Sequence, residues 1–138
     1  MSFEDERHAI EARFAGSYTS TQVKYENVPF KQPAATSWVA LTILSGGGNV
    51  NSIGTGMSSR LERFSGIIQI DIFTVEDVGT KTARDLADTI AAIFDVVEFS
   101  FGSSGTIVTR VPSFQTLGVE DGWLHSVVSV AFQRSKFS

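Results

Sequence analysis

A chain of 138 residues holds material for one domain with a sizeable core, and not for two. With 42% hydrophobic and 19% charged residues it is neither a disordered nor a membrane-embedded chain. No apolar run approaches the ~20 residues of a bilayer-spanning helix, and the acidic start Glu4-Asp5-Glu6 is unlike a signal peptide. The absence of cysteine removes disulfides and thiolate chemistry, and a net charge of −4 argues against gripping nucleic acid through its phosphates.

The first predicted element is a helix over Phe3–Ala15. Ser2 and Asp5 stand at capping-box spacing, three acidic residues occupy the positive end of the dipole, and Gly16 suits a left-handed C-terminal cap. Phe3, Ile10 and Phe14 form a thin apolar stripe, so this helix needs a surface to lie on. Val23 and Tyr25 alternate with charge like a half-exposed strand. Pro29 and Pro33 then fix an extended path that pins Phe30 as a buried plug. Trp38–Leu44, apolar on both faces, reads as a strand inside a sheet.

Residues Ser45–Ser59 are rich in Gly and Ser and lack periodicity, which predicts a flexible loop. Such a stretch is either a floppy hairpin connection or a binding loop that orders on assembly. Gly46, Gly47 and Gly48 are followed by no Gly-Lys-Ser/Thr and open no helix, so a phosphate cradle is not indicated.

The architectural centre is Arg63–Phe94. Phe64, Ile68, Ile70 and Ile72 fall on one face of a strand. Ala83, Leu86, Ala87, Ile90, Ala91 and Phe94 then recur at the spacing of one helical stripe, with Asp85 and Asp88 opposite. Val97, Phe99 and Phe101 alternate as a half-buried strand, and Gly102–Gly105 reads as a hairpin turn. Ile107, Thr109 and Val111 face one way on the returning strand and Val108 and Arg110 the other, until Pro112. Ser113–Gly122 reads as a loop, Trp123–Gln133 as the last strand, and 134–138 as a frayed tail. The predicted fold is α+β, a single domain with a mostly antiparallel or mixed sheet covered by a main and an N-terminal helix, in the order α-β-β-β-α-β-β-β. A single right-handed parallel crossover is compatible with the main helix.

No catalytic constellation emerges. His8 and His125 lie on different elements and read as surface residues, and nothing has the spacing of a metal site. Asp85 and Asp88 read as solvated charges, Glu76-Asp77 and Glu120-Asp121 as turn residues, and no serine sits in a nucleophile elbow. Neither an enzyme nor a cofactor is implied.

Several stretches together resemble the tail terminator family of long-tailed bacteriophages. Tyr25-Glu26-Asn27-Val28-Pro29-Phe30-Lys31-Gln32-Pro33 is similar to the family's aromatic-x-Asn-x-Pro-Phe-x-x-Pro entry, and Trp38-Val39 to the start of its next strand. Gly66–Phe73 looks like its central strand and Ala83–Phe94 like its Ala/Asp-rich helix. Asp121-Gly122-Trp123 with the Val127–Phe132 alternation looks like its final strand. The chain departs in carrying Ala40 where members often have Arg, and in keeping only the last glycine, Gly79, of a Pro-x-Gly-x-Gly run.

The resemblance implies a structural protein that forms a hexameric ring, caps the tail tube, ends its polymerisation and offers a surface to the head. Its partners would be further copies of itself, the tube protein and a head-completion or connector protein. DNA would pass through without specific binding, and no membrane is involved. Assembly would take place in the bacterial cytoplasm, and the final location would be the head-proximal end of the virion tail. Subunit or tube contacts are expected at Arg60, Arg63 and Arg110, and in the loop at Gly46, Gly47, Gly48, Asn49 and Met57. A tail tube or head–tail connector protein, or a small α+β binding domain, is the alternative.

Overall fold

The computed structural model describes residues 2–53, 60–75, 79–100 and 105–137; the side chains of 49–53, 60–62 and 136–137 lie outside that description. The elements are α1 (Phe3–Ser17), β1 (Gln22–Tyr25), β2 (Trp38–Ile53), β3 (Arg60–Val75), α2 (Lys81–Phe94), β4 (Glu98–Phe99), β5 (Ile107–Thr109), β6 (Ser113–Glu120) and β7 (Trp123–Phe137). The sheet runs β1-β2-β3-β7-β5-β4, with β6 also paired to β7, and it curls into a half-barrel. All pairings are antiparallel except β1 with β2, so the parallel step lies between those two strands. The architecture is the predicted single α+β domain, with one strand more than expected.

One face of the sheet forms the core. Alternation brings Ile68, Ile70 and Ile72 of β3 and Val128, Val130 and Phe132 of β7 to the same side. Val39 and Leu41 join them from β2. Onto this face α2 lays Ala83, Ala87, Ile90, Ile93 and Phe94, while Asp85 and Asp88 stay exposed. Leu86 is half-buried at the margin.

Helix α1 begins at the predicted capping box: the Asp5 amide donates to Ser2 Oγ at 3.1 Å, and the Ser2 amide to Asp5 Oδ2 at 3.2 Å. It runs past Gly16 to Ser17 and ends at Tyr18, whose amide donates to the Phe14 carbonyl. No left-handed glycine is needed there. The Phe14 ring stacks between Tyr18 and Phe94 at centroid distances of 4.9 and 6.2 Å, which ties the two helices together. The last turn of α2 is held by side chains from afar: Arg13 Nε donates to the Ile93 carbonyl and Thr109 Oγ1 to that of Phe94.

Three expectations about the strands are corrected. Ser45–Ile53 is not irregular but continues β2, paired with Arg60–Gly66 of β3 through register shifts at Ser45/Gly48 and Val50/Ser52. Backbone hydrogen bonds sustain this ribbon without apolar alternation. Its glycines admit a close approach, because a Cβ on Gly46 would collide with the Ser65 carbonyl oxygen and one on Gly48 would meet the Phe64 ring at 2.5 Å. Residues 54–59 of the expected loop, Met57 included, lie outside the described residues, as do Glu76-Asp77, Phe101 and most of the Gly102–Gly105 turn. Ser113–Glu120 is a strand, joined to β7 by the two-residue turn Asp121-Gly122 with φ of 52° and 83°. Both angles match the mirror-image turn that suits a twisted hairpin.

The third correction concerns the tail. β7 continues to Phe137, and Arg134 is buried, because it occupies the next core-facing position after Phe132. Its Nε donates to Glu6 Oε1 of α1 at 2.9 Å, and Ser45 Oγ donates to Glu6 Oε2 at 2.5 Å. Phe64 and Phe3 cover the guanidinium, with ring centroids 4.1 and 4.9 Å from Cζ. Phe30, expected as a buried plug, is half-buried and packs at 5.3 Å against Trp38.

Candidate interaction surface

Both helices pack on the core side of the sheet, so its other face carries the contacts of interest. Register places Leu44 of β2 opposite Ile67 of β3, and Ile67 opposite Ala131 of β7. Leu44 is 47% and Ile67 42% exposed, which makes an aliphatic row across three strands. At its far side the Arg110 amide donates to the Ala131 carbonyl, and Val108 stands opposite Gln133. Val96, Val108, Val111, Arg110 and Gln133 line a depression of about 280 Å³ there.

The predicted contact residues divide over this surface. Arg63, exposed on β3, lies opposite Asn49 on one side and Ser135 on the other. Arg60 stands at the start of β3 opposite Ile53, and Gly48 opposite Phe64. Arg63, Asn49, Gly48 and Arg60 therefore share one ribbon. Arg110 is exposed across β7, at the level of Ala131. The backbone brings Arg63 and Arg110 to one sheet without making them neighbours.

Towards the other end of β7 the same face carries an aromatic and polar group that sequence reasoning missed. Trp38 stacks on Phe73 at 4.2 Å, Phe73 on His125 at 4.5 Å, and Trp123 meets Trp38 edge-on at 6.3 Å. His125 Nε2 lies 2.8 Å from Asp71 Oδ1, and Gln69 Nε2 donates to Asp71 Oδ2 at 3.2 Å. His125 was expected at the surface, yet its side chain is 17% exposed and spends its Nε2 on Asp71. This arrangement locks β3 to β7 in register through side chains as well as backbone. The alternation of β7 does put His125 beside Trp123 and Val127, but only the pairing with β3 reveals Asp71. Among the described residues, no group of three or more His, Cys, Asp or Glu is arranged to hold a metal ion.

Away from this face a few ionisable groups are shifted by a local partner or by burial. Lys81 Nζ lies 2.6 Å from Asp85 Oδ2, and this hydrogen bond raises the lysine pKa. Glu4, bonded to Arg7, is held below its ordinary range. Burial pushes the Tyr18 phenol up, against the opposing effect of its 2.7 Å bond to Thr21.

Comparison with known proteins adds three findings. A family model described as phage tail terminator protein matches residues 7–132, nearly the whole chain. Twelve solved chains are similar in structure. One of them superposes on 100% of this chain and 96% of its own with a TM-score of 0.67 at 22% identity, a likeness of fold alone. No curated protein matches.

Proposed function

We propose, from the premise that this chain belongs to the phage tail terminator family, that it forms a ring capping the tail tube, ends tube polymerisation and offers the surface to which the head joins. Membership makes it a structural protein of the phage tail, in a family not known for catalysis. The observation that carries the finer reading is the uncovered sheet face. Leu44, Ile67, Val108 and Val111 stay exposed there, while both helices pack on the other side. A monomer gains nothing from such a surface, and a ring of copies buries it.

In this reading six copies close the ring. The tube protein and a head-completion or connector protein bind its two ends, and DNA passes the mildly acidic lumen without specific contacts. Assembly takes place in the bacterial cytoplasm. Arg60, Arg63, Arg110, Gly46, Gly47, Gly48, Asn49 and Met57 contribute to contacts between subunits or with the tube. The arginines offer planar, permanently charged donors to carboxylates of a neighbour. The test is genetic: cells making the other tail components but lacking this protein should yield tails of uncontrolled length that do not join heads. Tails of normal length joined to heads would refute the capping role. A shortage of tubes would identify a tube protein instead.

A further inference from the structure

We infer that copies of this chain associate head to tail, the β6–β7 hairpin tip of one copy seating in the depression beside β5 of the next. The inference rests on the ring reading above and names the two surfaces that meet.

The receiving surface has unusual local chemistry. Val108 is 43%, Val96 61% and Val111 72% exposed, and together they line the depression of about 280 Å³ with exposed Arg110 at its side. Three valines facing water around one concavity leave apolar area that no other described residue covers. Val96 also holds a φ of 47°, a conformation that a β-branched residue adopts at a cost. Bonds from the Val97 amide to Thr109 Oγ1 and from the Thr109 amide to the Val97 carbonyl, both 2.9 Å, fix the backbone directly after it. The strained valine is thus held outward at the rim.

The complementary shape is present on the same chain. Leu117 is 52% and Val119 61% exposed on β6, and Glu120, with its side chain 72% exposed, and Asp121 follow directly. The Asp121-Gly122 turn holds this tip rigidly, because both residues sit in the left-handed region that the turn requires. The tip thus carries Val119 on one face and the Glu120 carboxylate, 3.9 Å from His125 Nδ1, on the other, and together they complement an aliphatic hollow beside an arginine. The two surfaces lie apart along β7: Val119 pairs with Leu124 near its start, while Arg110 bonds to Ala131 past its middle. Seven residues of strand separate them by about 23 Å at ~3.3 Å per residue. Distinct, complementary patches on one chain make a heterologous contact, the kind that closes into rings, and not a two-fold dimer.

The chain lacks cysteine, so paired single-cysteine variants give a clean test. Val111→Cys and Val119→Cys proteins, mixed at concentrations up to the millimolar range and oxidised, should form disulfide-linked pairs, whereas either alone should not. In sedimentation, Arg110→Glu and Glu120→Arg should each weaken self-association about tenfold by opposing like charges. Mixing those two variants should restore it. Circular dichroism should be unchanged, since both positions are exposed. Cross-linking of either cysteine variant alone, or self-association indifferent to both charge reversals, overturns the contact while leaving the ring reading intact. A chain that stays monomeric throughout overturns the contact as well. The tail-length phenotype decides separately whether the protein caps tubes.

Discussion

Replacing Arg134 with methionine removes a guanidinium that is 1% exposed and leaves the Glu6 carboxylate, 3% exposed, with the Ser45 hydroxyl as its remaining side-chain partner among the described residues. Truncating one partner of a buried ion pair costs about 3–5 kcal/mol, because the remaining charge stays out of water without its counter-charge. Loss of the stacking against Phe64 and Phe3 pushes Arg134→Met towards the upper end of that range. Glu6→Leu removes the carboxylate that faces the buried guanidinium and should also destabilise the fold. The double variant removes both charges, and its remaining losses are the acceptor of the Ser45 hydroxyl and the stacking on Phe64 and Phe3, about 1 kcal/mol each. It should therefore lie within about 2 kcal/mol of the parent, far from the sum of the single losses. Urea denaturation of the four proteins measures this directly, provided the slope with denaturant stays constant. Additive losses, or single losses below about 1 kcal/mol, would refute the account of the pair as a coupled, desolvated unit.

On α2, Ile90→Ala should cost ~2–5 kcal/mol, the loss for truncating a fully buried side chain. Asp88→Ala on the solvated face should stay within about 0.5 kcal/mol, and equal losses in denaturation would contradict the orientation of the helix. Gly46→Ala should destabilise well beyond Gly47→Ala, because the first Cβ meets the Ser65 carbonyl and the second meets open space. Thermal melts of the two should differ accordingly. Tyr18 remains protonated in the fold to a higher pH than in the unfolded chain, so the unfolded state loses its proton first. Stability should then fall as pH rises from the ordinary phenol value of 10.0 towards the raised one. Tyr18→Phe should flatten that alkaline limb, and an unchanged limb would show that burial of Tyr18 does not set it.

What could be read from the sequence was local. Helix α2 is visible because a stripe at helical spacing must face a core, and β3 because Ile68, Ile70 and Ile72 alternate. The outward direction of Val108 and Arg110 followed from the same alternation, which fails at Val111, exposed beside them beyond the end of β5 and not turned inward with Ile107 and Thr109. Strand β6 was hidden because Ser113–Glu120 carries little apolar alternation and is held by the backbone of β7. The Asp121-Gly122 pair, a strong hairpin turn, was the signal that could have exposed it. Glu6 looked like a carboxylate serving the helix dipole and Arg134 like the start of a tail, since nothing within either neighbourhood indicates a partner 128 residues away. For the same reason neither neighbourhood indicates the pairing of His125 with Asp71.

The placement of β7 bears on how the protein is made. This last strand sits inside the sheet, between β3 on one side and β5 and β6 on the other. At synthesis rates of 5–20 residues per second, the 128 residues separating Glu6 from Arg134 take about 6–26 s to emerge. Once made, β3 exposes an edge until β7 arrives, and before Arg134 emerges α1 cannot bury Glu6 without stranding its charge. The order of translation thus delays folding until β7 has emerged, and the nascent protein spends those seconds as a target for holding chaperones or for pairing with another incompletely folded copy.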